Sequence, residues 1–229
     1  MGERIILIET STSLCSTALL EGNEITATRM SSEPRAHASQ TAPFVQQMLE
    51  ERGLKVKDCS AVCLSMGPGS YTGLRVGSST AKGLCFGAGI PLLAVGTLDV
   101  LVAQAIQEGL PEGCKYIVPM IDARRMEVYT ATYTATGERL TEVEPLVVEQ
   151  GAYASLLAEG PVLFIGDGVL KCREVIDSPL AEFRQECPRA DAMKEPALRK
   201  FAAGSWRDTA YFEPFYLKDF IATVGKKLF

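Results

Sequence analysis

Apolar and polar positions along the chain alternate between the two-residue period of strands and the three-to-four-residue period of helices. Ile5-Ile6-Leu7-Ile8 is a β-branched run with the length of a buried strand, and it ends at the acidic Glu9. A loop rich in Ser and Thr leads to a second strand over 16–20, and Glu21-Gly22-Asn23 turns into a third over 24–30. Ala38, Ala42, Val45 and Leu49 then recur at helical spacing within 36–52. Pro43 fits best in a first turn, which starts the regular helix near Thr41 with His37 in the lead-in, and Gly53 closes it. Residues 61–66 read as a fourth strand, followed by Gly67-Pro68-Gly69-Ser70-Tyr71-Thr72-Gly73. A helix from near Thr72 to Phe86, a strand over 92–95 and a helix over 97–107 complete the first half.

The second half repeats this order. An apolar run over 116–121 ends at the acidic Asp122, a strand follows over 127–133, and 134–137 form a turn. A longer strand region runs through Val148, then a short helix over 151–159 and a strand over 162–165. Gly166-Asp167-Gly168 stands where the first half has Gly67-Pro68-Gly69. Three strands, a helix, a strand and a glycine turn therefore occur in both halves, and an acid ends the first strand of each. This pattern predicts an α/β fold of two ribonuclease-H-like lobes, 1–107 and 108–229, with the last segment packing back on the first lobe. The lobes would face each other across a cleft with Glu9 and Asp122 near its mouth.

Composition narrows the function classes. The chain has 229 residues, 47% of them hydrophobic and 22% charged, which is ordinary for a globular protein. A net charge of −5 and a pI near 5.1 oppose a chain that grips nucleic acid unaided, because phosphate binding usually needs a basic surface. Seven cysteines without a Cys-x-x-Cys pair oppose a disulfide framework and fit a reducing compartment. The apolar run at the N-terminus is too short for a signal peptide or a membrane span, so a cytoplasmic protein is expected.

The candidate chemistry centres on the glycine loop. It joins a strand to a helix, where backbone amides can cradle a phosphate, and Gly67, Gly69, Ser70 and Thr72 are the candidate contacts. The lysine-containing ending of a Walker loop is missing, Lys82 lies well inside the helix, and Pro68 removes one amide. The alternative is a tight turn with Ser70 or Thr72 as helix cap. In the helix beyond, Gly73, Gly77 and Ala81 follow one another at four-residue spacing. Glycine inside a helix costs about 1 kcal/mol relative to alanine. Its use here suggests a close neighbour, either the chain's own sheet or a helix of another subunit. Arg75 and Lys82 share a face and could meet acidic groups there. His37 is the single histidine, so neither a zinc set nor a Ser-His-Asp arrangement with a nucleophile elbow is supported. Glu9 and Asp122 lack the further acids that a Mg²⁺ nuclease needs, since Asp122 is followed by Ala123-Arg124-Arg125.

Several segments together resemble one family. They are Ile8-Glu9-Thr10-Ser11-Thr12, His37-Ala38-Ser39, the glycine loop through Leu74-Arg75, and Gly96-Thr97-Leu98. To these add Ile121-Asp122-Ala123-Arg124-Arg125, Glu127-Val128-Tyr129 and Tyr216-Leu217-Lys218-Asp219. The set resembles the TsaB (YeaZ) family, the small bacterial paralogue of the TsaD (Gcp) enzyme. The resemblance implies the duplicated actin-like fold of sugar kinases, Hsp70 and actin, and a role in forming threonylcarbamoyladenosine on tRNA. In that role TsaD transfers the threonylcarbamoyl group, and the family member binds TsaD as a required, non-catalytic subunit. The ATPase TsaE joins the same assembly, and tRNA is reached only through it. No cofactor is expected on this chain, ATP and metal belonging to the partner subunits, and no membrane contact is expected. The implied docking surface lies on the two helices of the first half, with His37, Thr41, Val45 and Met48 on one and Gly73, Gly77 and Ala81 on the other. Without TsaD the same surface is expected to form a homodimer. TsaD-like enzymes carry a His-x-x-x-His metal pair whose positions, aligned on Pro91 and Val95, hold Thr97 and Leu101 here. Glu9 stands where many relatives have Asp. The alternative reading is a nucleotide- or metal-dependent hydrolase working between Glu9 and Asp122.

Overall fold

The computed structural model describes residues 2–218, and two sheets of matching strand order organise them. In the first, β1 (Arg4–Glu9) pairs antiparallel with β2 (Cys15–Glu21), and β2 antiparallel with β3 (Glu24–Ser31). On its other side β1 runs parallel to β4 (Ala61–Ser65), and β4 to β5 (Leu92–Val95). The second sheet is built from β6 (Tyr116–Asp122), β7 (Glu127–Thr130), β8 (Tyr133–Thr134), β9 (Glu144–Val147), β10 (Val162–Ile165) and β11 (Ala181–Arg184). The orders β3-β2-β1-β4-β5 and β9-β7-β6-β10-β11 correspond strand for strand, with β8 pairing on β6 beside that path. The protein is thus an α/β fold of two ribonuclease-H-like halves, the duplicated actin-like arrangement.

Both faces of each sheet are covered, which is why the central strands are continuously apolar rather than alternating. Alternate side chains of β1 serve different cores. Ile6 and Ile8 pack under α1 (Ala36–Glu50) and α2 (Tyr71–Ala88), against Val45, Met48 and Ala81. Ile5 and Leu7 pack on the other face against Ala190, Met193 and Ala197, from a 3₁₀ turn over Ala190–Met193 and a helix behind it. In the second sheet, α3 (Thr97–Glu108) sets Leu98, Leu101 and Ala105 on Ile117, Ile121 and Leu163. On the opposite face α4 (Ala154–Glu159) and α5 (Val169–Cys172) cover Val118, Met120 and Phe164. The helix behind the 3₁₀ turn is α6 (Lys194–Ala202). Each sheet therefore lends the helix that follows its last strand to the other: α3 follows β5 and rests on the second sheet, while α6 follows β11 and rests on the first. Beyond α6 the chain returns along the first half, with Arg207 bridging to Leu92 and the Phe215 amide donating to the Met66 carbonyl at 2.7 Å.

Three local readings of the sequence are corrected. Helix α1 begins at Ala36, so Pro43 lies inside it rather than in a first turn. The carbonyl that loses its helical partner belongs to the exposed Ser39, where water can replace the missing amide. The single strand expected over 127–133 is two short ones, β7 and β8, both pairing with β6. After Gly168 the structure adds α5, β11 and α6, which the sequence reading left unassigned. Gly89, at φ 69°, ends α2 as a left-handed cap, as expected near Phe86. Among the described residues no helix is long and apolar enough to cross a membrane. The motif position Asp219 and the chain after it lie outside the described residues.

Candidate functional site

Of the two acids expected at the mouth of a cleft, Glu9 at the end of β1 is sealed inside the protein, and Asp122 at the end of β6 reaches solvent. Glu9 is fully buried; its Oε1 accepts the Ser11 amide at 2.6 Å, and its Oε2 has no hydrogen-bond partner among the described residues. Burial pushes the carboxyl up to about 7; hydrogen bonding offsets part of this, and the charge of Asp167 adds to it. The buried hydroxyls of Ser11 and Thr12 are likewise unpartnered among the described residues. Asp122 has a different setting. It is exposed, accepts the Arg124 amide at 2.9 Å and pairs with the Lys171 ammonium. Between the two stands Asp167 of the second glycine turn, whose Oδ1 accepts the Asp122 amide at 2.8 Å. Burial raises its carboxyl to about 6, and the neighbouring Asp122 charge adds to this. Asp167 thus joins Glu9 and Asp122 as a third acid near the strand ends, a role that its place in the repeated turn could have signalled. Among the described residues no three of His, Cys, Asp and Glu gather as metal ligands.

The glycine loop is tied into its own lobe. Ser70 donates its amide to the Ser11 carbonyl at 2.6 Å, and its Oγ accepts the Gly73 amide at 3.3 Å as the cap of α2. Gly67 lies under the Phe215 carbonyl, and its own carbonyl accepts the Thr97 amide. A Cβ at Gly69 would stand 2.3 Å from the Ser11 carbonyl oxygen. Of the four candidate phosphate contacts, Ser70 and Thr72 reach the surface, while Gly67 and Gly69 press on the chain itself.

The small residues of α2 have a similar explanation. A Cβ at Gly73 would lie 2.0 Å from the Thr10 carbonyl oxygen, and one at Gly77 would lie 2.3 Å from Thr10 Oγ1. Thr10 Oγ1 in turn donates to the Gly73 carbonyl at 2.9 Å. The close neighbour that these glycines admit is the loop after β1. Thr41, Val45, Met48, Gly73, Gly77 and Ala81 are all buried within the chain, so none of them offers a surface to a partner in this structure. His37 is half-buried and donates Nε2–H to the Thr12 carbonyl at 2.9 Å, tying α1 to the same loop. Among the described residues neither Arg75 nor Lys82 pairs with an acid. The Arg75 guanidinium lies 5.4 Å from the Tyr71 ring centre, and Tyr71 in turn packs 4.9 Å from the Tyr216 ring. Lys82 donates to the carbonyls of Ala210 and Phe212, holding the returning segment against α2.

The faces of α1 and α2 that reach solvent are the opposite ones. On α1 they carry Ala38, Ser39, Ala42, Pro43, Gln46, Gln47 and Glu50. On α2 they carry Thr72, Arg75, Ser79, Gly83, Phe86 and Gly87. Glu50 and Arg75 are the two charges among these positions, and Phe86 is 88% exposed. Nothing lies within 4 Å of a Cβ placed at Gly83 or Gly87, so these glycines serve no close contact within the chain. A solvated helix face normally carries charges. This face, with two charges and several small side chains over two adjacent helices, leaves a shallow surface around Phe86 that a second helix pair can approach closely.

A family model described as TsaD, tRNA N6-adenosine threonylcarbamoyltransferase, matches residues 29–222. The tRNA threonylcarbamoyladenosine biosynthesis protein TsaB of Escherichia coli (strain K12) is 30% identical over 239 residues, covering 96% of this chain and 96% of that one. The protein of the same name from Bacillus subtilis (strain 168) is 32% identical over 180 residues, covering 77% and 76%. The solved structure of YeaZ from Pseudomonas aeruginosa superposes with a TM-score of 0.82 at 28% identity, over 94% of this chain and 100% of that one.

Proposed function

The chain belongs to the TsaB (YeaZ) family of tRNA threonylcarbamoyladenosine biosynthesis proteins, and from that premise we propose that it is a non-catalytic subunit that docks on TsaD and activates it. The observation that carries this reading is the sparsely charged outer face of α1 and α2, where small residues surround the exposed Phe86. The docking surface is on the helices named from the sequence, through their solvent-facing residues, with His37 at its edge. Packing of that face against two helices of TsaD would bury Phe86 and bring backbones together over Ser79, Gly83 and Gly87. Without TsaD a second copy of the chain can take the same place, giving a symmetric pair. TsaE and tRNA would be met through the assembly, which the acidic charge of this chain favours.

Two features support assigning catalysis to the partner. At the positions where TsaD-like enzymes hold metal with histidines, Thr97 bonds its hydroxyl to Ser65 at 2.8 Å and Leu101 is core. In addition, the carboxyl of Glu9 is closed off from solvent, which a hydrolase acting between Glu9 and Asp122 could not use without rearrangement. The test is reconstitution of tRNA modification with TsaD and TsaE, with and without this chain. Dependence on the chain, combined with no nucleotide turnover by the chain alone, is the expected result. Full modification in its absence overturns the proposal.

A further inference from the structure

A groove of about 800 Å³ runs between α3 and α6 under the turn that follows β8. Its volume is in the range of small-molecule sites. Helix α6 lies on the face of the first sheet opposite α1 and α2, so the groove is separate from the proposed docking surface. The apolar wall is Val102, Ala103 and Ile106 from α3, facing Pro196 from α6. Ile106 is 42% exposed there, an aliphatic side chain that the fold leaves uncovered. The floor is Tyr133, whose hydroxyl donates to Asp99 Oδ1 at 2.8 Å, so that acid already has a partner. The α6 wall also brings Arg199 and Lys200 to the groove, and neither has an ion-pair partner among the described residues. The other lysine of this wall, Lys194, is paired with Glu195 at 3.4 Å.

We infer that this groove binds a small amphipathic anion: an apolar body of about the size of a bicyclic aromatic along α3, with a carboxylate-type or sulfonate-type group held by Arg199 and Lys200. Apolar area and unpaired cations lie on opposing walls, so a molecule with both characters satisfies the groove better than one with either alone. Because α3 rests on one sheet and α6 on the other, the occupant touches both halves of the protein.

A matched pair of fluorescent probes tests this on the full chain: 8-anilinonaphthalene-1-sulfonate, and N-phenyl-1-naphthylamine, which has the same body without the charge. The sulfonate is expected to bind at one equivalent and roughly tenfold tighter than the neutral probe. Reversing both cations, Arg199→Glu with Lys200→Glu, should remove that preference. Filling the groove with Ala103→Trp should abolish binding of both probes with the far-UV spectrum unchanged. Ala203→Trp, from the other wall, gives the same reading if the first variant fails to fold. Equal binding of the two probes, unchanged sulfonate binding in a folded groove-filling variant, or no saturable binding would each overturn the assignment.

Discussion

The two glycine turns occupy equivalent places in their sheets and have different surroundings. Gly67-Pro68-Gly69, after β4, opens into an α2 of 18 residues and is covered by Phe215 of the returning segment. Gly166-Asp167-Gly168, after β10, opens into an α5 of only 4 residues and holds an acid against the Asp122 amide. The strand-end acids differ in the same way: Glu9 is sealed, whereas Asp122 is wet and paired with Lys171. Duplication of the backbone has therefore not duplicated the chemistry. The first half uses its turn to mount a long helix, and the second uses its turn to hold an acid.

The largest effects should come from the glycines that let each turn close on its own strand. Gly73→Val puts atoms where the Thr10 carbonyl stands, and Gly166→Ala meets the Met120 carbonyl oxygen at 2.1 Å with φ at 140°. Each should lower the unfolding free energy by about 3 kcal/mol, read from urea midpoints. A neutral Gly73→Val would break the claim that α2 is clamped on the β1–β2 loop. For the same reason Gly77→Leu would report on folding rather than docking, because Thr10 Oγ1 is 2.3 Å away.

Next in size is the pH dependence of the sealed acid. The folded pKa of Glu9 is raised from 4.5 to about 7, so its contribution is fully present below pH 4.5 and is lost as pH rises through 7. The span corresponds to about 3 kcal/mol. Stability of the wild type relative to Glu9→Gln should fall by up to that amount from acid to about pH 8. Asp167→Asn should show the same sign over a window from 3.8 to about 6. A flat difference for Glu9→Gln would place that carboxyl in solvent. Asp122→Asn, which loses an ion pair open to water, should cost under about 1 kcal/mol. The smallest expected change is a gain: Gly83→Ala meets nothing within 4 Å and should stabilise the isolated chain by about 0.5–1 kcal/mol in thermal melts.

The strands buried on both faces, β1, β4, β5, β6 and β10, were legible because burial makes them unbroken apolar runs. The repeat of strand order was legible for the same reason. The inward and outward stripes of α2 were not distinguishable by size, since Gly73, Gly77 and Ala81 on one side match Ser79, Gly83 and Gly87 on the other. Leu74 and Cys85, which share the buried side, decide the matter only once the sheet is in place. The cover on Gly67 from Phe215, and the hold of Lys82 on Ala210 and Phe212, join residues far apart in sequence that carry no local pattern. The field of Asp167 on Glu9 similarly exists only after the two halves meet.

The most direct measurement is the affinity of purified TsaD for this chain and for an Ala42→Arg, Ser79→Arg variant with wild-type thermal stability. Both substitutions place a bulky charge on exposed positions of the outer face and touch no core residue. A loss of at least about a hundredfold in affinity, with tRNA modification lost in parallel, is the predicted result. Wild-type affinity in the folded variant would contradict docking through α1 and α2.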